Sequence, residues 1–556
     1  MLQIIFLILG GFFIGLSYPT GSELLYFEPI ITIIGSLLAS VIYLLIGFFK
    51  VSHCLKKLTS LQNAAVFSSS DILKNYRHWV FLYRFALLIV YSFQIYILNW
   101  PLIITYSLGL DNLVFITNFL ILAPFLITYL LSVLPFYKMD CYLRKSDWGI
   151  SEYFIFQIRS YFLITAAPLL VFILYIDVIS YWQSLAELIF IYPFIEWFLA
   201  LGFMLLLYIT APVFLKVFWG LRSFPEGDFK ERLMNLTQKA GVRIKDVLIW
   251  PIGSGRMANA MAIGLIPSLR YVIFTDTLLN HLTESETETV FGHEIGHLKQ
   301  HHLHLYLFIL IGYAGLSIAF EELLGNIFGR DNSWVIVNLF IFMALYLLVF
   351  FGLISRQLEH QADLFGALIT NNFLGFINAL ERIASLNFIL PAEKSIQHPS
   401  IERRVNFLIA AQQSPAFIKR FINSIKRITY LVTIILVLAG LSWTWGIYKQ
   451  LGKTSVLKTE LNHIKEAERL AKIGVQFIKD RKNEEAIKIF KETTRLQPSN
   501  PLYYIYLGDA QAGDKDKLST GAIASYRKAW SLEPRDTLQR MYLNEKLKTI
   551  NTNKVE

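Results

Sequence analysis

The run His293-Glu294-Ile295-Gly296-His297 has a spacing that suits metal-assisted hydrolysis. Residues four apart share one face of a helix, so His293 and His297 can present two imidazoles to one ion. Glu294 is turned toward the open coordination position. There it can take the proton of a water molecule that zinc acidifies and that attacks a peptide carbonyl. The run predicts a zinc peptidase site with Glu294 as catalytic base. The alternative is a helix whose histidines are incidental.

A catalytic zinc ion needs a third protein ligand. The segment SRQLEHQAD, residues 355–363, places Glu359 and Asp363 four apart on one helical face. We predict Glu359 as the third ligand and Asp363 as the carboxylate that holds a ligand imidazole in its tautomer. Four histidines remain competing ligands, the alternative being roles as caps or interface residues: His301, His302, His304 and His360.

The sequence before this site has the pattern of a small α/β unit. Residues 228–240 predict an amphipathic helix. Three short apolar runs predict strands: 247–251, 257–263 and 270–275. Thr283 and Glu286 form a capping-box pattern, so we expect the helix that carries His293 and His297 to begin at Thr283.

The composition is that of a membrane protein, with 55% hydrophobic and only 17% charged residues among 556. Apolar runs of bilayer-crossing length predict nine spans: 3–17, 28–49, 79–98, 112–136, 160–180, 188–218, 304–322, 333–354 and 428–448. The first is short and lacks a basic amino-terminal region, which gives little support to a cleaved signal peptide. Arg84 and Glu196 fall inside predicted spans, where each should face either a buried ion-pair partner or a polar chamber.

The net charge of +10 is assigned to cytoplasmic loops rather than to nucleic-acid binding, because no basic run is interleaved with aromatic residues. Residues 50–78 and 137–159 are rich in Lys and Arg, whereas the alternate loops 18–27, 99–111 and 181–187 contain none. By this asymmetry the peptidase segment is cytoplasmic and the carboxyl-terminal tail lies outside. The two cysteines, Cys54 and Cys141, are interpreted as reduced thiols.

The polar tail, residues 451–556, contains an internal repeat. Signature positions of a 34-residue tetratricopeptide unit occur in two copies: Ala467, Gly474, Phe477, Ala486, Phe490 and Pro498, then Pro501, Gly508, Ala522, Tyr526, Ala529 and Pro534. This pattern predicts a helical repeat that binds a protein partner of unknown identity.

Four segments between residues 220 and 410 stand in the order found in one family: RMANAMAIG, LLNHLTESETETVFGHEIGH, SRQLEHQAD and HPSIERRV. The chain resembles the membrane zinc metallopeptidases of the CAAX prenyl protease type I and HtpX kind, metallopeptidase family forty-eight. The resemblance implies that Asn259 and Ala260 lie in an edge strand that aligns the substrate backbone. It implies that His398 steadies the oxyanion, unless it is an ordinary loop histidine, and that Arg404 anchors the metal ligands. The repeat tail departs from the family pattern.

The predicted fold is mainly α, with polytopic membrane helices, a gluzincin-like zinc peptidase domain (small β-sheet plus HExxH helix) and a tetratricopeptide solenoid. The predicted domains are a multi-span region, a peptidase domain that includes two spans, a ninth span and the repeats: 1–219, 220–427, 428–448 and 451–556. The predicted function is that of a multi-pass membrane endopeptidase with one Zn²⁺ per chain, acting on membrane-associated or misfolded proteins. The alternatives are processing of lipidated carboxyl termini and a catalytically idle scaffold that recruits partners through its repeats.

Overall fold

The structure is a computed structural model that describes most of the chain: residues 2–16, 28–60, 67–107, 114–144, 146–253, 257–329, 333–387, 389–393, 398–513, 519–532, 534 and 537–552. Within this part the protein is mainly helical, with one four-stranded sheet in the middle of the sequence. The predicted helical class with membrane helices and a small sheet is confirmed. The domain boundaries remain predictions.

In the described residues ten α-helices precede the sheet, and most of their residues are apolar. They are α1 (Leu2–Leu16), α2 (Pro29–Ser60), α3 (Phe67–Ser92), α4 (Trp100–Leu102), α5 (Val114–Leu131), α6 (Tyr137–Arg144), α7 (Ile150–Gln157), α8 (Leu163–Tyr181), α9 (Gln183–Ile191) and α10 (Phe194–Phe218). A buried cluster that includes Leu87, Tyr91 and Phe125 packs the early helices together.

The middle of the chain alternates strands and helices before it returns to long helices. In order these are β1 (Arg222–Ser223), α11 (Asp228–Ala240), β2 (Asp246–Trp250), β3 (Ala260–Ile263), β4 (Tyr271–Thr275), α12 (Asp276–His281), α13 (Glu284–Lys299), α14 (His302–Phe328), α15 (Ser333–Leu345), α16 (Gly352–Thr370), α17 (Phe373–Leu386), α18 (Ile401–Gln413) and α19 (Pro415–Leu451). A π-helical turn, Tyr346–Phe351, joins α15 to α16 without a break.

Eight helices of the described chain are long and apolar enough to cross a membrane: Pro29–Thr59, His78–Ile97, Phe115–Leu143, Ile150–Ile179, Phe194–Phe218, His302–Phe328, Val337–Thr370 and Pro415–Leu451. The predicted multi-pass character is therefore confirmed. The first predicted span is not among the eight, because α1 has only 15 residues. Residue 17 and residues 112–113, which the sequence assigned to spans, lie outside the described residues.

The predicted span over residues 188–218 is corrected at its start, because the candidate span is Phe194–Phe218. Helix α9 ends at Ile191, and α10 begins at Phe194 after Tyr192 and Pro193. Tyr192 has φ −129° and ψ 73°, outside the helical region, because proline disfavours the helical conformation in the residue before it. Pro193 also has no N–H to donate to the preceding turn.

The sheet has the order β1-β2-β4-β3, with β2 and β4 parallel and the other pairs antiparallel. The three predicted strands are present, but the second begins at Ala260 rather than at residue 257, and the two-residue β1 was not predicted. Gly264 follows β3 with φ +97°, and a Cβ there would lie 2.1 Å from the backbone oxygen of Leu269. Only glycine fits this turn. In the strand order of this sheet β3 lies at an edge.

The two charged residues inside predicted spans lie in different surroundings. The Arg84 guanidinium is 5.9 Å from the ring centroid of Phe136, in contact with the aromatic core of the early helices. Glu196 is exposed in the first turn of α10, where a span begins. A carboxylate at that position is stabilised by the positive end of the helix dipole.

The tail consists of α20 (Thr454–Lys479), α21 (Asn483–Leu496), α22 (Pro501–Ala512), α23 (Thr520–Ser531) and α24 (Thr537–Thr552). Gly474 of α20 lies against the ring of Phe490, and Gly508 of α22 lies against the ring of Tyr526, so the same contact occurs twice. Lys465 Nζ is 2.6 Å from Glu187 Oε2, which ties α20 to α9. The tetratricopeptide assignment stays a prediction.

Candidate active site

The site is built where α13 crosses α16. Helix α13 begins as predicted with a capping box: Thr283 Oγ1 accepts from the N–H of Glu286, and the Glu286 carboxylate accepts from the N–H of Thr283. Glycines line the crossing, and the Cβ that Gly292 lacks would lie 3.2 Å from the Cα of Gly366. This close approach brings the side chains of the two helices into one buried group.

The crossing gives a test of how the site is positioned. A Cβ on Gly366 would lie 2.7 Å from the backbone nitrogen of His293 and 3.0 Å from its Cα. Because backbone cannot move aside locally, we expect Gly366→Ala to separate the helices and destabilise the protein by about 1–3 kcal/mol. Zinc affinity should fall with it. Thermal unfolding of the purified protein in detergent measures the first effect.

Gly440→Ala is the matched control, since a Cβ at Gly440, in the apolar helix α19, meets nothing within 4 Å. If Gly366→Ala unfolds at the same temperature as the Gly440→Ala control, the close crossing does not position the site.

The side chains of His293, His297 and Glu359 form one group whose potential ligand atoms lie within 4.8 Å of one another. The two Nε2 atoms are 3.1 Å apart. They lie 3.8 Å and 3.6 Å from the Glu359 carboxylate oxygens. Among the described residues no other group of three His, Cys, Asp or Glu side chains is placed in this way.

The group fits zinc in donor chemistry and spacing. Nitrogen and oxygen ligands lie about 2.0–2.2 Å from zinc, so in a tetrahedral site they are roughly 3.3–3.6 Å from each other. Two imidazoles and one carboxylate are the donor set of a catalytic site, which keeps its fourth position open. Burial holds the pKa of His297 well below its usual value, so this ring is neutral and can offer a lone pair. The predicted zinc site remains a proposal, which this geometry supports.

Glu294 lies next to the first histidine and is buried. Burial raises the pKa of its carboxyl group, while the charge of His293 and a hydrogen bond from the backbone N–H of Ala262 act in the opposite direction. The contact with Ala262 connects the predicted base to strand β3. Sequence patterns gave no indication of it, because the two residues belong to different elements.

Asp363 and Arg404 form a buried pair behind His293. Arg404 donates from Nε to Asp363 Oδ2 at 2.9 Å and from Nη2 to Oδ1 at 2.5 Å. Asp363 Oδ1 is also 2.9 Å from Nδ1 of His293, so Nε2 of that ring is left to face the other metal-binding side chains. Although burial lowers the pKa of His293, the hydrogen bond and charge of Asp363 outweigh it, and the pKa is raised. The carboxylate and its arginine can fix the ring.

The other ring, His297, meets His302. The Nδ1 atoms of the two rings are 2.9 Å apart, and His302 Nε2 is 3.0 Å from Gln361 Oε1. Gln361 in turn donates to the side chain of Gln300. His302 was predicted as a competing ligand, but the structure places it behind His297, where it contacts Nδ1 rather than the Nε2 atom that faces the other potential ligands. Helix periodicity could not predict this contact, because His297 lies on α13 whereas His302 begins the next helix, α14.

We expect His302→Ala to weaken zinc binding by about 10- to 100-fold, because a metal-bound imidazole then loses the partner that fixes its orientation. The measurement is a competitive zinc titration against a chromophoric chelator. His301→Ala is the matched control, since His301 is exposed and is not part of this hydrogen-bonded chain. Equal zinc dissociation constants for the two variants would show that His302 does not position His297.

The remaining histidines take separate places. His398 is half-exposed, and its Nδ1 lies 2.9 Å from Glu359 Oε2. The ring of His360 packs on Phe407 with centroids 4.5 Å apart. His301 and His304 pair with each other, with ring centroids 5.3 Å apart. The structure therefore brings His398 to the site, as the family resemblance implied, and leaves His301, His304 and His360 outside the group of potential ligands.

Strand β3 passes the site, and no strand among the described residues pairs with its outer edge. Asn259 precedes the strand, and its backbone oxygen accepts from the N–H of Thr275, while its own N–H donates to Thr275 Oγ1. Since backbone groups alternate in direction along a strand, the N–H and C=O of Ala260 face away from β4. Of the two predicted substrate-binding residues, Ala260 offers its backbone, whereas Asn259 offers only its exposed side chain.

Comparisons with known proteins match the region of the chain that contains this site. The family model "Peptidase family M48" matches residues 225–412. A CAAX prenyl protease 1 homolog from Dictyostelium discoideum is 28% identical over 202 residues, which are 33% of this chain and 46% of that protein. A Protease HtpX homolog from Picrophilus torridus is 32% identical over 168 residues, 28% of this chain and 51% of that protein.

The chain thus spans about half the length of the curated relatives it matches. The crystal structure of S. mikatae Ste24p matches at 17% identity with a TM-score of 0.46, over 69% of this chain and 100% of that one. The matched residues 225–412 contain the sheet's three longer strands, the crossing of α13 and α16, and Arg404 on α18. The predicted resemblance is confirmed: residues 225–412 of this chain match the model of peptidase family M48.

Proposed function

We propose that this protein is a zinc-dependent membrane endopeptidase that hydrolyses peptide bonds in membrane-associated or misfolded proteins. The observation that carries the proposal is the meeting of His293, His297 and Glu359 beside the buried Glu294. A bound zinc ion, one per chain, would polarise a peptide carbonyl and lower the pKa of a water molecule.

The protein's own residues supply the proton transfer. Glu294 takes a proton from the attacking water and passes it to the leaving amine, as a general base that then acts as an acid. Its raised pKa makes the carboxylate a stronger base, and the N–H of Ala262 holds it in place. The Nδ1 atom of His398 contacts Glu359, which holds the ring beside the site, and we propose that this ring donates to the carbonyl oxygen as negative charge develops there.

The edge of β3 supports binding by strand addition. A substrate in extended form pairs with the outward N–H and C=O of Ala260. Two residues along the strand, Ala262 gives its N–H to Glu294, so a peptide aligned with this edge passes the catalytic base. Backbone pairing selects extended or unfolded segments rather than one sequence, which suits a protease of misfolded membrane proteins.

The function is tested by quantitative proteomics of membranes from cells that carry the wild type or Glu294→Gln. We expect full-length substrates to accumulate, and their fragments to disappear, in the variant. Accumulation restricted to proteins with lipidated carboxyl termini would favour the processing alternative. Identical proteomes, together with a purified protein that lacks zinc, would favour the idle scaffold and contradict the proposal.

We also infer that residues 451–556 form tetratricopeptide repeats. These repeats lie on the opposite side of the membrane from the peptidase. The repeated contact of a small residue with an aromatic ring, Gly474 with Phe490 and Gly508 with Tyr526, supports the repeat. The charge asymmetry of the early loops supports the sidedness. On this arrangement the repeats do not hand substrate to the zinc site, and they bind a protein on the other side.

Sidedness is tested with single cysteines in a background without Cys54 and Cys141. A cysteine at Ser499, exposed in the tail, is expected to react with an impermeant maleimide in intact cells or spheroplasts. A cysteine at Ser285, exposed at the start of α13, is expected to react only after lysis. The reverse labelling pattern would contradict the whole orientation.

A further inference from the structure

A cavity of about 570 Å³ lies between α7, the end of α10 and the sheet. We call it the tryptophan pocket, because Trp148, Trp219 and Trp250 line it together with Phe156. The rings of Trp219 and Trp250 stack with centroids 3.8 Å apart and planes 3° from parallel. The rings of Trp148 and Phe156 are 5.0 Å apart. None of these residues belongs to the zinc site, so the pocket is a separate feature of the fold.

The charges around the tryptophan pocket are balanced. Arg159 and Arg222 line it with Glu152 and Asp276. Arg159 donates from Nε to the carbonyl of Phe218 at 2.7 Å, which caps the end of α10. Arg222 is exposed, and its backbone pairs with Ile249 of β2, whereas its guanidinium makes no hydrogen bond or ion pair with the described residues. The pocket therefore offers an unpaired cation at its rim and two carboxylates nearby.

An unsatisfied donor also points to a ligand. Trp219 is 5% exposed, and its Nε1–H has no acceptor in the described part of the chain. A buried donor without a partner costs free energy, and native proteins rarely leave one. Trp219 lines the tryptophan pocket, and an acceptor oxygen bound deeply enough to reach its Nε1 would satisfy this donor.

The position of the pocket restricts the ligand. Helix α7 begins the candidate span Ile150–Ile179, and α10 ends the candidate span Phe194–Phe218. The pocket thus lies at the ends of two spans, at the level of lipid headgroups. Apolar side chains beside it face outward, with Ile155 at 52% and Val217 at 66% exposure. Acyl chains can cover them while a headgroup enters the pocket.

We propose that the tryptophan pocket binds the headgroup of a zwitterionic phospholipid that carries a phosphate and an amine. The phosphate accepts from Arg222 and from Trp219 Nε1, in the manner of arginine and tryptophan at membrane interfaces. The ammonium lies between the carboxylate of Glu152 and the indole faces. An anionic headgroup would leave Glu152 and Asp276 without a cation, so the balance of charge favours the zwitterion.

Such a lipid would fasten the sheet to the membrane helices. Trp250 ends β2, Asp276 begins α12, and both line the same pocket as Arg159 of the span region. The bound headgroup therefore joins the soluble part of the peptidase to two spans. This role is independent of whether the zinc site is active.

The test is native mass spectrometry of the full-length, delipidated protein in detergent, titrated with dioleoylphosphatidylethanolamine. We expect Arg222→Gln to weaken the first binding step about fivefold, which is the contribution of one arginine near a lipid surface. Trp219→Phe keeps the aromatic ring and removes the donor, and it should weaken binding by a similar factor. Arg243→Gln, an exposed arginine away from the pocket, should leave binding unchanged.

Two further titrations separate the sources of the ligand. Dioleoylphosphatidylglycerol should bind more weakly than the zwitterionic lipid, and soluble phosphoethanolamine should bind far more weakly than either lipid. The proposal is overturned if both pocket variants bind as the wild type does, if the anionic lipid binds equally well, or if soluble phosphoethanolamine alone suffices.

Discussion

Replacing Glu294 with glutamine is expected to lower the peptide cleavage rate by about a hundred- to ten-thousand-fold, which is the usual contribution of a general base. The amide has nearly the same shape, yet it cannot take a proton from water. Because Glu294 is not one of the three grouped metal-binding residues, zinc content should not change. Initial rates on a casein-type substrate and metal analysis of the same purified sample measure both effects.

Glu288→Gln is the matched control for this experiment. Glu288 lies on the same helix, α13, but its carboxylate accepts from Arg232 Nε at 2.8 Å, away from the site. The control should cleave at the wild-type rate. A Glu294→Gln enzyme that also cleaves at that rate would rule out Glu294 as the base.

Removing the carboxylate of Glu359 is expected to abolish tight zinc binding. The dissociation constant for zinc should rise by more than about a hundredfold, because replacing a residue that contacts only the ligands costs about 10- to 100-fold. Asp363→Ala should fall within that smaller range. It should also destabilise the protein, since it leaves Arg404 buried without its partner. Zinc stoichiometry after dialysis and thermal unfolding separate the two variants.

Gln357→Ala, an exposed change on the same helix, is the control for Glu359→Ala and should retain one zinc per chain. A one-to-one ratio in Glu359→Ala as well would assign the third ligand to another side chain. His398 would then be the first candidate, since its ring nitrogen is 2.9 Å from the Glu359 carboxylate.

Local features of this fold could be predicted from the sequence because they depend on neighbouring residues. The Thr283 capping box and the four-residue spacing of His293 and His297 are set by helix geometry, and the structure has both. Glu359 was predicted on chemical grounds, since a catalytic zinc ion requires a third ligand. The structure places its carboxylate beside the two histidines.

Features that depend on packing between distant elements could not be predicted in this way. The role of Gly366 exists only because α13 approaches α16 at that point. The hydrogen-bonded chain through His302 exists only because Gln361 lies opposite it. Helix α19 also extends beyond the predicted span 428–448, because it begins at Pro415 and ends at Leu451. Apolar runs mark the part of a helix inside the bilayer, whereas the helix itself continues into polar sequence.

The order of His293, His297 and Glu359 along the chain has a consequence for how the proposed zinc site would form. His293 and His297 lie on α13 and Glu359 lies on α16, and between them run α14 and α15 in two candidate spans. In a newly made chain whose two spans have not yet inserted, Glu359 is therefore not yet in place beside His293 and His297. Under the proposed function, complete metal loading would follow insertion of those two spans and would stabilise them, because binding energy becomes folding energy. A protease assembled in this order would become active only after its own membrane segment is in place.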